Sequence, residues 1–473
     1  MDAHSYIEVL YPQGQECLII IDHGYFCSWS ILFILKRGDI IMKLFGNLNI
    51  EGNNLKINGV TMTELKEKFG TPLYIIDEND FINKCRIFKE NFDIEGINTK
   101  VLYASKALLN THIARIVNDE GLGFDVVSGG EIYTLLKSGI GLENTYFHGN
   151  NKLYDELELA INNNIGTIVI DNESEVDDIE SILVDKKQRA LLRINPGIEA
   201  HTHDYISTSK NDSKFGISIY DERIIELIKR LINSKNIDLI GFHAHIGSQI
   251  FDSESFFKEC EEVLNFVSEI EKKAEYRFSE INLGGGFGIY YTDSDTPFEI
   301  SEFLRQYSKK IKEEIDKRNL SIKSIVIEPG RSLISNSGHT LYTVGSTKET
   351  YAGRNYIFID GGMTDNIRPA LYQAEYEACV ANKMSNEETI KYTIAGKCCE
   401  SGDIIIKDIL LPRCEKGDLI LVSSTGAYNY SMSSNYNRIP RPAMVSVGNE
   451  PRLIIKRETF EDIIRNDILG EEI

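Results

Sequence analysis

Residues 101–107 read VLYASKA, a short strand-like run that ends in a lysine held within a turn of small residues. The same pattern, a short apolar run followed by a longer amphipathic stretch, returns seven more times before Arg331. The runs are FDVV (124–127), TYFH (145–148), TIVI (167–170), LLRI (191–194), LIGFHA (239–244), INLG (281–284) and SIVIE (324–328). Between them lie helical patterns such as Glu222 to Ile232 and Phe256 to Ile270, with apolar residues at helical spacing. Eight successive βα units predict a closed (β/α)8 TIM-type barrel rather than an open sheet.

After Arg331 the texture changes to alternating strands and turns, in YTVGSTKE, YIFIDGG, YTIAGK, DLILVSS and AMVSVG. This predicts a second, antiparallel β domain, a sandwich or barrel. The segment from Lys43 to about Thr71 has the same short-strand character and is expected to pair with that sheet. The division expected is therefore 42–75 with 332–473 as the β domain and 76–331 as the inserted barrel, an α/β plus β chain. A length of 473 residues agrees, because single cores stop growing near ~250–300 residues.

Composition excludes several classes. The net charge is −21, from 72 acidic against 51 basic residues, and such a surface repels nucleic acid and anionic membranes. Eight cysteines are scattered without the paired spacing of a zinc site or a secreted disulfide framework, which points to a reducing cytoplasm. Residues 1–41 are expected to be an accessory extension, either a real peptide or one added by an upstream start codon assigned in error. Its apolar run, Cys27 to Lys36, is too short for a bilayer span of ~20 residues, and Glu8, Glu16 and Asp22 stand where a signal peptide carries basic residues.

A barrel of this type builds its active site at the C-terminal ends of its strands. Reading those ends collects Lys106 after strand one, Asp125 and Ser128 at strand two, His148 at strand three, Arg193 in strand five and His245 after strand six. Gly284, Gly285 and Gly286 follow strand seven, and Glu328 and Arg331 close strand eight. Each alone has an ordinary structural reading, and their concentration on one rim is what carries weight. Lys106 is expected to have its ammonium pKa lowered by the barrel walls, which suits Schiff-base chemistry. The glycine run offers unobstructed backbone N–H groups to a phosphate, with Ser248 as a possible donor. Glu328 could hold a pyridine nitrogen protonated. His243 is ambiguous. A metal site on His243 and His245 is disfavoured because no carboxylate or cysteine cluster completes a shell, so no metal is expected.

A dozen ordered motifs resemble the alanine-racemase-like fold class of pyridoxal-phosphate enzymes and, within it, the diaminopimelate decarboxylases. They include YASKA (103–107), FDVVSGGE (124–131), FHGNNK (147–152), RINPG (193–197), THDYIST and DSKFG (202–216), GFHAHIGSQ (241–249), NLGGGFG (282–288), IEPGRS (327–332), DGGMTDNIRPALY (360–372), CCESGD (398–403) and GAYNYSMSSNYN (426–437). The resemblance implies pyridoxal 5'-phosphate as cofactor and decarboxylation of meso-2,6-diaminopimelate to L-lysine, the last step of lysine biosynthesis. It implies that Lys106 carries the cofactor, His245 stacks on its ring and Glu328 partners its nitrogen, with Ser248, Gly284, Gly285, Gly286, Arg331 and Tyr428 around its phosphate. Arg331, Arg368, Tyr372 and Tyr428 would bind substrate and Glu400 its distal amine. Cys399 would act as proton donor from a neighbouring subunit, which implies a homodimer with shared sites.

Three rivals are weighed against this. A decarboxylase of ornithine, arginine or carboxynorspermidine would not call for Arg368, since those substrates lack a distal carboxylate. A racemase of the class resembles a pattern with arginine, not Glu328, facing the pyridine nitrogen. A non-catalytic regulatory homologue could lose Lys106, the glycines or Cys399, and all are in place.

Overall fold

The structure is a computed structural model that describes residues 5–10, 16–21, 42–184, 186–198, 213–385 and 389–468. The apolar run Cys27 to Lys36 and the THDYIST motif lie outside the described residues. Of the extension, Ser5–Leu10 and Glu16–Ile21 pair as antiparallel strands.

Eight parallel strands close into a barrel. In chain order they are Asn98–Ala104, Gly123–Val126, Thr145–Phe147, Thr167–Ile170, Gln188–Asn195, Ile237–His243, Glu280–Asn282 and Ser324–Ile327. Strand one pairs with strand eight (Val101 with Ile327), and strand four with strand five (Ile168 with Ala190), so the ring has no free edge. These strands read as near-continuous apolar runs because helices cover them outside and side chains fill the inside. The helix Arg223–Asn233 shows the matching pattern: Ile224, Leu227, Ile228 and Leu231 fall at helical spacing, and all four are buried. Asp252 caps the long helix Ser253–Ala274 by accepting from the Ser255 N–H.

The inside of the barrel is solid below its C-terminal rim. Leu102, Tyr146, Val169, Leu191, Ile240 and Val326 form one buried apolar layer. Near the opposite end Glu280 accepts from Lys100 Nζ at 2.9 Å and from the Tyr146 hydroxyl at 2.7 Å. Chemistry is thereby confined to the upper rim, where the strand ends carry polar side chains.

The second sheet has nine strands and is mostly antiparallel. Two of its pairings are parallel, Asn355–Ile359 with Thr389–Ala395 and Leu73–Asp77 with Ala443–Val447. The expected partner of this sheet needs correction. Residues 43–71 do not pair into it; Leu48–Glu51, Asn54–Ile57 and Val60–Thr61 form a separate three-stranded sheet. Leu48, Leu55, Ile57 and Leu65 pack on the larger sheet through Leu341, Leu421 and Val445, and only Leu73–Asp77 enters it. Short-strand character reveals a strand but not its partner, because strand pairing is set by contacts far away in sequence. Asp77 fixes this junction: it is fully buried, accepts from Asn47 and Asn58, and caps the helix Glu78–Asn91.

The two parts meet over the first strand. The Tyr428 N–H and the Ser431 hydroxyl both donate to the Ala107 carbonyl, at 2.7 and 3.1 Å. A loop of the β domain is therefore clamped onto the turn that holds Lys106. Among the described residues no helix is long and apolar enough to cross a membrane.

Candidate active site

A cavity of about 1000 Å3 opens at the C-terminal rim of the barrel, under the β-domain loops. Lys106, His245, Ser248, Gly286, Glu328, Arg331, Arg368, Tyr372 and Tyr428 all line it. Gly284 and Gly285 lie in the turn just before Gly286. Cys399 and Glu400 do not line this cavity. Cys399 is exposed on a β-domain turn, its N–H donating to Asn437 Oδ1 at 2.8 Å, and Glu400 is exposed beside it.

Lys106 sits in the short 3-10 turn Ser105–Ala107, open to the cavity but deep within the barrel mouth. Burial alone would pull its pKa down. Asp125, Tyr428 and Glu328 outweigh that, against Arg193, and the net direction is up. The expected lowering is therefore reversed, because Asp125, Tyr428 and Glu328 face the same amine.

Glu328 is 7 % exposed and held from three sides. His243 Nε2 lies 3.1 Å from Oε2, His148 Nε2 lies 2.8 Å from Oε1, and Asn282 Nδ2 donates to Oε1 at 2.6 Å. Burial pushes the acid up, but the two histidines and their contacts bring it well below the usual carboxylate range. Burial lowers His243 to about 3, so its ring is neutral and its Nε2–H donates. The His148 ring packs edge-on against His243, centroids 4.7 Å apart. The expectation that no carboxylate accompanies His243 is thus corrected: Glu328 does, with His148. Together these contacts keep the carboxylate charged.

His245 is also held neutral, its pKa driven well below the ordinary value by burial and then by Lys106 and Arg193. The Gly285 N–H donates to its Nδ1 at 3.2 Å, which leaves the proton on Nε2. Ser248 and Arg331 form one unit, since the guanidinium donates to the hydroxyl from Nη2 at 3.0 Å and Nε at 3.3 Å. Ser128, by contrast, is a helix cap that accepts from the Glu131 N–H.

The glycine run is sterically compelled. Gly284 has φ +60°, and a Cβ there would stand 2.7 Å from His245 Nδ1. A Cβ on Gly285 would stand 2.1 Å from the Glu328 carbonyl oxygen, and one on Gly286 2.5 Å from that of Gly247. Strands six, seven and eight approach so closely here that only bare backbone fits, and Gly286 lines the cavity with Ser248 and Arg331. The expectation of three unobstructed N–H groups is corrected: that of Gly284 donates to Asn282 Oδ1 at 2.9 Å and that of Gly285 to His245. A bare-backbone cradle, a hydroxyl and a guanidinium suit a phosphate. An amine on one wall and a charged carboxylate on another suit the rest of a pyridoxal ring, so these residues fit that cofactor.

Arg331 and Arg368 define the far wall, both nearly buried at 8 % and 7 % exposure. The Tyr291 hydroxyl lies between them, 2.8 Å from Arg331 Nη1 and 3.0 Å from Arg368 Nη1. Tyr376 OH lies 2.9 Å from Arg368 Nη1. Neither tyrosine stood out in the sequence. Tyr291 follows the glycine run by five residues, which was its available signal; Tyr376 carried none.

A family profile described as pyridoxal-dependent decarboxylase, pyridoxal binding domain, matches residues 78–335. The chain is 46% identical over 418 residues to the diaminopimelate decarboxylase of Bacillus subtilis strain 168, covering 88% of this chain and 95% of that one. It is similar to the crystal structure of diaminopimelate decarboxylase from M. jannaschii with L-lysine, at TM-score 0.83 and 33% identity over 89% of this chain and 98% of the other. The Helicobacter pylori enzyme complexed with L-lysine gives TM-score 0.78 and 31% identity, over 85% of this chain and 98% of that one.

Proposed function

The chain belongs to the diaminopimelate decarboxylases, a family of pyridoxal-dependent lyases, and from that membership and the cavity we infer that it converts meso-2,6-diaminopimelate to L-lysine and carbon dioxide. One observation carries the reading: Lys106, Glu328 and two guanidinium groups, Arg331 and Arg368, line a single cavity.

Pyridoxal 5'-phosphate, when bound, supplies an electron sink for the pair released as the bond to the leaving carboxylate breaks. Lys106 would hold it through its amine. Glu328, kept charged by His148 and His243, would keep the pyridine nitrogen protonated. The neutral His245 would face the ring, and Ser248, Gly284 to Gly286, Arg331 and Tyr428 would hold the phosphate. Arg368, with Tyr372 and Arg331, takes the distal carboxylate, which substrates ending in a bare amine lack.

Cys399 and Glu400 complete the site from a second subunit, Cys399 giving the proton and Glu400 meeting the distal amine. Their exposure on a turn away from their own cavity supports this arrangement, a two-fold homodimer with shared sites. In it residues 76–331 form the cofactor-binding unit, and 42–75 with 332–473 form the unit that reaches the partner. The enzyme works in the cytoplasm, in keeping with the free thiols of Cys85, Cys260, Cys379, Cys398, Cys399 and Cys414.

The test is the visible absorbance of purified protein, then lysine and carbon dioxide assays with meso-diaminopimelate, with Lys106→Ala as control. A Lys106-dependent band with lysine formed supports the reading. A band without lysine removes Arg368 as the carboxylate clamp, and no band even with added cofactor removes the enzyme assignment.

A further inference from the structure

Among the described residues, the Tyr291 hydroxyl is the one that bonds both guanidinium groups of the cavity's far wall. Tyr291 is 7 % exposed, and its OH also lies 3.1 Å from Ser335 Oγ. Its backbone N–H donates to Asp295 Oδ2, which fixes the residue where the loop leaves the glycine run. Its ring meets Tyr376 edge-on, centroids 5.5 Å apart. Two adjacent guanidinium groups repel each other, so a shared acceptor between them sets their spacing. A carboxylate entering the cavity meets the same two cations and competes for the same charge.

We propose that Tyr291 is a positioning residue for the substrate's distal carboxylate: its hydroxyl spaces Arg331 and Arg368, and it must carry its proton for both guanidinium groups to take that carboxylate. The proposal rests on the clamp reading of Arg331 and Arg368 given above. The charged and titratable groups facing the hydroxyl are Arg331 from the turn after strand eight, Arg368 from the helix Arg368–Tyr372, and Tyr376 beyond it. Burial alone would raise the Tyr291 phenol, but Arg331 and Arg368 reverse this and, with Ser335, bring it down to about 8. Tyr376 moves up instead, under burial, so of the two phenols Tyr291 is the one held lower. Below that point the phenol is neutral and both cations are free for a carboxylate. Above it, the phenolate satisfies them, and an incoming carboxylate must first restore its proton.

The sign of the pH dependence follows. KM for diaminopimelate should rise above about pH 8, approaching tenfold per pH unit, while kcat at saturation stays level. Tyr291→Phe should lose that rise and, because the spacing contact is gone, show a KM at neutral pH raised roughly tenfold with kcat within about twofold. Ser335→Ala, which removes one hydrogen bond that lowers the phenol, should move the rise to higher pH. Calorimetry of L-lysine binding near pH 8.5 in buffers of different ionisation enthalpy should show proton uptake by the wild-type holoenzyme and none by Tyr291→Phe. Tyr291→Phe with an unchanged KM and an unchanged pH profile overturns the proposal, as does equal proton uptake by both proteins. If lysine binding takes up the proton but diaminopimelate yields no lysine, Tyr291 keeps its role and the reaction assignment alone falls.

Discussion

Glu328 Oε2 and His243 Nε2 are 3.1 Å apart at the top of the barrel, and the histidine is the neutral donor to a buried charged acid. Replacing that acid by its amide keeps the shape and the contact with Asn282 but removes the charge. Glu328→Gln should therefore bind the cofactor, visible as unchanged absorbance, yet lose roughly 10²–10³ in kcat, the scale of one preorganised electrostatic contact. Stopped assays with meso-diaminopimelate check it, and an amide variant with wild-type kcat would remove Glu328 from the chemistry.

The glycine run and a surface glycine should respond in opposite ways to the same added methyl. Gly285→Ala places a Cβ 2.1 Å from a backbone oxygen of strand eight's exit, which cannot yield without opening the strand ends. That variant should lose cofactor binding and most of its soluble yield. Gly130→Ala adds the same group to the helix Gly129–Lys137, where the nearest atom is Ser128 Oγ at 3.7 Å. Thermal unfolding should place it about 0.4–1 kcal/mol above wild type.

All eight barrel strands were legible because each is a short apolar run covered on both sides, and the rim followed because Lys106, His245 and Glu328 stand at strand ends. What was hidden depends on pairs far apart in sequence. The upward shift of Lys106 needs Asp125 and Glu328 brought across the barrel, and no local pattern announces that. The three-way grip on Glu328 likewise joins strands three, six, seven and eight. Tyr291 and Tyr376 become site residues only when Arg331 and Arg368 converge. The roles of Cys399 and Glu400 came from resemblance alone, since nothing in CCESGD by itself marks a proton donor.

Away from the active site, His339 offers a clean pH test. It is fully enclosed in the strand Gly338–Glu349, facing Asp80 and Lys84, and burial lowers it to about 3. Neither ring nitrogen has a hydrogen-bond partner among the described residues. The unfolded chain binds a proton at this histidine near pH 6.5, and the folded protein does so only near 3. Stability is therefore lost as pH falls from about 6.5, by at most about 1.4 kcal/mol per pH unit, and the loss stops below about 3. Asp365 and Glu131, both raised to about 7 chiefly by burial, act in the opposite sense between roughly pH 4 and 7, so the wild-type profile alone is ambiguous. His339→Leu cancels them in the comparison. Relative to wild type it should gain stability steadily between about pH 6 and 4 in urea titrations, and a constant difference across that range would show that His339 protonates freely in the fold.

The placement of Cys399 leads to a test by mixing. Cys399 is exposed, bonded through its N–H to Asn437, and absent from the cavity that holds Lys106 of the same chain. If the site were complete within one chain, Lys106→Ala and Cys399→Ala proteins would stay impaired when mixed. In a shared-site dimer, a mixed pair contains one site with both defects and one with neither. Equal amounts of the two variants, unfolded and refolded together, give half mixed dimers at random, each with one intact site, so activity should return to about a quarter of wild type. Lysine formation before and after mixing measures it. Activity that never exceeds the average of the two variants would mean that no site is completed across the dimer, and a fully active Cys399→Ala protein would leave Cys399 as a surface thiol.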